Sequence, residues 1–166
     1  MTKLFSRSIL LVVIVFINVV NVNAQYASSV DEDLNKVMLP KAFALNEYEV
    51  AASAYANDYH HILEVCDNNM ELAFEKWLNM LVAIEANAQQ EGIDLKGVKM
   101  WMKVYFKESG KIDHIGYYLK PDSKNISSDV LNPLFERFIK KYQFPLETDK
   151  KFLHYTVASF PVYDGK

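Results

Sequence analysis

Apolar residues in the first part of the chain recur at helical spacing, and those in the last part alternate. Ala44, Tyr48, Ala51, Tyr55, Tyr59 and Ile62 fall at intervals of three and four, one stripe of an amphipathic helix. Pro40, just ahead, suits a first helical turn. Asp67, Asn68 and Asn69 break the pattern and can cap the next helix. Met70, Phe74, Trp77, Leu81, Ile84 and Ala88 make a second stripe. Two helices joined by a short polar break predict an antiparallel helical hairpin. The tyrosines of the first stripe are read as core. Gly92, or Gly97 further on, ends the region.

The period then changes. Val98, Met100, Met102, Val104 and Phe106 alternate with Lys99, Trp101, Lys103 and Tyr105, the mark of a strand with one buried face. Glu108-Ser109-Gly110-Lys111 supplies a turn, and 112–119 is the returning strand of a β-hairpin. A helix comes next, capped by Asp129 or by Asn132; Pro133 suits its first turn in the second case. Leu131, Leu134, Phe135, Phe138, Ile139 and Tyr142 form its apolar face, and Phe144-Pro145 stops it. The stretch 152–160, rich in aromatic and β-branched residues, predicts a last strand. The predicted class is α+β: a helical hairpin, then a β-hairpin, a helix and a final strand forming a small antiparallel sheet.

Residues 1–24 stand apart. Lys3 and Arg7 precede an apolar run over 9–20, and Val22 and Ala24 sit where a signal peptidase reads small residues. The run is shorter than the ~20 residues of a membrane-spanning helix, and Asn18, Asn21 and Asn23 interrupt its end. The expectation is a cleaved export signal. It releases one soluble periplasmic or extracellular domain over 25–166, large enough to bury a core. Half the residues are apolar and Gly and Pro number 5 each, which argues against disorder. Cys66 is the single cysteine, so no internal disulfide forms; it is read as a small buried side chain. It also lies too far from the cleavage point to carry a lipid.

Charge is uneven. Residues 25–95 hold 3 lysines against 13 acids, and 96–166 hold 13 basic residues against 8 acids. The expected arrangement is an acidic helical part (25–96) packed beside a basic sheet part (97–166), each helping to orient the other. The mature balance is −5, the leader's two basic residues having been removed from 18 against 21 acids, and this makes nucleic acid an improbable partner.

Catalytic patterns are missing. There is no G-x-S-x-G elbow and no glycine-rich phosphate loop. His60 and Glu64 share a helix face beside His61 and Asp67, without the H-E-x-x-H spacing of a zinc site; a solvated helix end is expected, with no metal and no cofactor. His114 and His154 would approach each other if their strands pair, and are read as packing or surface residues. Asn125-Ile126-Ser127 matches a glycan acceptor, which matters only in a eukaryotic secretory pathway. The chain is therefore not read as an enzyme.

The segment 98–162 resembles the carboxy-terminal domain of TonB-type proteins. The likeness rests on VKMWMKVYFKESGKIDHIGYYL, a hairpin with an S-G-K-I turn, on LFERFIKKYQFP, a helix ending in an aromatic-Pro pair, and on FLHYTVASFP, the last strand. The anchor, the Pro-rich spacer and the Tyr-Pro element of that family have no counterpart, so transduction of mechanical work is not implied. The resemblance implies binding of an envelope protein at an exposed sheet edge, where a partner segment adds as a strand. The edge to test is the last strand, at Phe152, His154, Thr156, Ala158 and Phe160. Left unpaired, it would also join two copies as a homodimer. The alternative is a cone-shaped ligand carrier or enzyme with a pocket lined by Met100, Met102, Trp101, Tyr117 or Tyr118. A third reading is an envelope-associated structural subunit held by the tyrosine stripe.

Overall fold

The chain is described by a computed structural model over residues 38–162, so the leader expected at 1–24 lies outside the described residues. Among those described, no helix is long and apolar enough to cross a membrane. The elements are β1 (Ala42–Ala44), α1 (Glu49–Tyr55), β2 (His60–His61), α2 (Ile62–Val65), α3 (Met70–Gln90), β3 (Lys99–Phe106), β4 (Ile112–Leu119), α4 (Ser128–Lys141) and β5 (Phe152–Ser159). Short 3-10 turns occupy Leu45–Glu47 and Ala56–Asp58. The fold is α+β. Its sheet has five strands in the order β1-β4-β3-β5-β2, and it is mixed: β1 runs parallel to β4 and β2 parallel to β5.

β3 is the centre, antiparallel to both β4 and β5. Its alternation resolves as the pleat requires: Met100, Met102, Val104 and Phe106 are fully buried on one face. Trp77, Met80 and Ile84 from α3 and Leu131, Leu134 and Phe135 from α4 close the core over them. Phe106 stacks on Phe152 with ring centroids 4.7 Å apart, worth about 1 kcal/mol beyond simple burial. Asn69 caps α3, its side chain accepting from the Leu72 amide at 3.0 Å. Cys66 is buried, and burial pushes its thiol pKa up.

The first expected helix is the main correction. Its stripe divides into β1, a 3-10 turn, α1, a second 3-10 turn, β2 and α2. The cause is tertiary. β4 offers an edge to Ala42, Phe43 and Ala44, and Gly116 on β4 leaves room above it. A Cβ there would sit 2.7 Å from the Leu45 side chain. Edge pairing and that close packing outweigh the modest helix propensity of a stretch with Asn46, Tyr48, Val50, Asn57 and Tyr59. Among the described residues, no helical hairpin forms. α3 covers one sheet face, and the 45–59 segment covers part of the other, where Tyr48, Tyr55 and Tyr59 pack around Phe43, Tyr105 and Leu153.

A second correction concerns α4. It begins at Ser128 with Ser127 in the cap position, earlier than either expected cap, so Pro133 lies inside the helix. The proline lacks the amide that would bond back four residues. Burial of Leu131, Leu134, Phe135 and Phe138 around it keeps the turn helical. Acidic and basic halves meet where α3 ends: Glu91 pairs with Arg137, and Asp94 with Lys124 at 2.9 Å.

Candidate functional site

β5 lies one place in from the sheet edge, but its cover is short. β2 pairs only His60 with Phe152 and His61 with Leu153. Among the described residues, no strand pairs with the outer side of β5 beyond Leu153. Two hydrogen bonds set the direction of the exposed groups. The Phe160 amide donates to Val98 on the β3 side, and the Lys151 carbonyl accepts from His60 on the outer side. Alternation along β5 then points the amides and carbonyls of Tyr155, Val157 and Ser159 outward.

Beside this edge runs an apolar groove of about 530 Å³ between α2, α3 and β5. Phe74, Trp77 and Leu81 form its α3 wall, and His154 and Thr156 its β5 wall. The α3 stripe explains the wall. Trp77, Leu81, Ile84 and Ala88 are buried as expected, but Met70 and Phe74 are 72 % and 63 % exposed. They overhang the groove where β2 has ended at His61 and, among the described residues, no further strand pairs with β5. The His154 ring meets Trp77 at 4.6 Å, edge to face. Burial, with a smaller contribution from nearby His61, pushes its pKa down to about 4, so the groove presents a neutral imidazole near pH 7.

The five β5 residues singled out in the sequence divide between core and groove. Phe152, Ala158 and Phe160 are core side chains, at 0 %, 0 % and 3 % exposure. His154 and Thr156 line the groove. The outward main chain belongs to the alternate residues, a distinction set by strand register. His114 and His154 do not meet: β4 and β5 flank β3 on opposite sides, and the two rings project from opposite faces. Met100, Met102 and Tyr117 are packed into the core, while Trp101 and Tyr118 stand exposed on the other face, so these five do not line one pocket.

Two polar clusters lie away from the groove walls. His60 Nδ1 lies 3.0 Å from Glu64 Oε2, both well exposed. His60 belongs to β2, so the pair spans a strand end and the start of α2. Among the described residues, no group of three His, Cys, Asp or Glu side chains is arranged to hold a metal. The second cluster arises from a β-bulge. Tyr105 faces His114 but Phe106 faces Ile112, and the extra residue, Asp113, turns toward the same face as His114. There it accepts from Lys41 Nζ at 2.8 Å and from the Tyr55 hydroxyl at 2.9 Å. His114 Nδ1 donates to the Pro40 carbonyl at 2.8 Å. Burial alone would raise the Asp113 pKa; Lys41 and Tyr55 reverse this and hold it at about 2. The cluster ties residues 40–59 onto the sheet. Asp113→Asn is expected to cost about 2 kcal/mol at pH 7 in urea unfolding, since stability held above pH 4 and lost as pH falls toward 2 disappears with the charge.

No protein-family model matches the chain, and neither a curated protein nor a solved structure matches it.

Proposed function

We propose that the protein is an exported, non-enzymatic protein-binding module that captures an extended segment of an envelope protein by strand addition along β5. One observation supports this above the rest. The outward main-chain groups of Tyr155, Val157 and Ser159 border an apolar groove that receives alternate side chains of an added strand. Main-chain hydrogen bonds then supply affinity, and Phe74, Trp77 and Leu81 select apolar residues. The order hairpin, helix, strand over 99–159 is that of the TonB-type carboxy-terminal domain, which supports the same reading at the level of topology. A second copy is the competing occupant of the same edge.

Val157→Pro tests it. Proline at this position removes an outward donor and leaves the ladder to β3 intact. Peptides selected from a random library on the wild-type protein are expected to protect the Tyr155 and Val157 amides from exchange. They should bind the variant at least about tenfold more weakly, with unchanged circular dichroism. Selected peptides that map elsewhere, or that bind the proline variant equally well, would rule strand addition out.

A further inference from the structure

The opposite sheet face carries a second concavity, independent of the groove. The 45–59 segment covers only one end of that face. The other end holds three large exposed aromatic side chains: Trp101 at 39 %, Tyr118 at 49 % and Tyr155 at 50 % exposure. Strand register places them. Trp101 lies opposite Tyr118, and Lys103 lies opposite Tyr155. The Trp101 ring packs against that of Tyr155, with centroids 5.6 Å apart and planes tilted by 33°. On the β4 side the neighbour of Lys103 is Gly116, and the Leu45 side chain packs over it and forms one wall of the concavity. A cleft of about 520 Å³ results, lined by Lys103, Tyr118 and Tyr155 from the sheet and by Asn46, Glu49 and Ser53 from the covering segment.

Lys103 is the unusual member. It is partly buried, yet among the described residues its ammonium makes no salt bridge. Its protein contacts are a 3.5 Å hydrogen bond to the Ala52 carbonyl and the Tyr105 ring, centred 5.3 Å away. A half-buried cation on one long hydrogen bond is poorly compensated and keeps donors for an anion. Glu49 in the same cleft sets a limit on that anion. A multiply charged phosphate would face this carboxylate, whereas a single carboxylate beside hydroxyl groups suits a cation, an acceptor, an amide and a hydroxyl together. Exposed aromatic rings complete the match, because the C–H face of a sugar ring packs on them.

We propose that this cleft binds a pyranose bearing a carboxylate, a hexuronic acid residue. Lys103 takes the carboxylate, Tyr155 and Tyr118 take the ring face, and Asn46, Ser53 and Glu49 take the hydroxyls.

The test is titration of the ¹⁵N-labelled protein with methyl glucuronide, methyl glucoside and a nucleoside monophosphate. Saturable shifts of the Tyr118 and Tyr155 amide signals are expected with the glucuronide, at a Kd on the order of 1 mM. The glucoside should bind at least about tenfold more weakly. Lys103→Met should abolish that preference, and Tyr155→Ala should weaken both sugars, with the spectrum of the core unchanged in each. Three results would overturn the proposal: no saturation by the glucuronide, equal binding of the two sugars, or tighter binding of the nucleotide.

Discussion

Gly110→Ala is expected to destabilise the protein by about 4 kcal/mol, near the upper end of what a single substitution does. Two effects add. Gly110 sits at φ +79°, a left-handed conformation that costs an alanine about 1 kcal/mol. A Cβ built there would also lie 2.3 Å from the Phe144 carbonyl oxygen and 2.6 Å from that of Leu146. These are backbone atoms that cannot swing aside. The Phe144 amide donates to the Gly110 carbonyl at 3.0 Å, so the strand-like link into β5 is laid against the hairpin turn at this glycine. Any shift also disturbs Phe144, which is buried against Phe106 and Phe152. Gly92→Ala is the control. Gly92 has φ +72° with nothing within 4 Å of a built Cβ, so its alanine should cost only the conformational part, about 1 kcal/mol. Urea unfolding of the two variants separates clash from conformation. Equal losses would mean that the 144–146 segment does not pass so close.

Acidification is the second large effect. His154 is held down at about 4 against an ordinary 6.5, chiefly by burial against Trp77. A depressed folded pKa means that the unfolded chain takes the proton first. The contribution is therefore complete above about pH 6.5, falls as pH drops, and is gone near pH 4. Its full size is about 3 kcal/mol. His114 is also lowered, first by its own burial, and adds a loss in the same direction. Asp113 does not interfere, because its contribution is lost lower, toward pH 2. His154→Phe keeps a ring against Trp77 and removes the titration. Between pH 7 and 4.5 the wild type should lose about 2 kcal/mol more than this variant in urea unfolding. Parallel losses would show that the imidazole is solvated, and that the groove floor is wetter than the Trp77 contact implies.

Legibility differs along the chain. The hairpin 98–119 is readable because alternation and a turn glycine are local signals. The cap at Asn69 and the α3 stripe are readable for the same reason, although Met80, fully buried, falls outside the stripe. The 44–62 region misleads, since a three-and-four spacing is met equally well by short pieces that dip repeatedly toward a sheet. The candidate groove is half legible. His154 and Thr156 can be named, but the outward groups of Tyr155, Val157 and Ser159 depend on which neighbour β5 acquires. The Lys103 cleft has no sequence signal, since it needs residues 46–53 and three strands brought together.

Local chemistry alone determined the α+β class, the central hairpin and its buried methionine face, because pleat and helical period are written in consecutive residues. Only the folded molecule decided the strand order, the two parallel additions at the edges, the short reach of β2 and hence the open flank of β5. Those arise from competition between distant segments for the same edge hydrogen bonds and the same apolar surface, and no window of neighbouring residues contains both competitors.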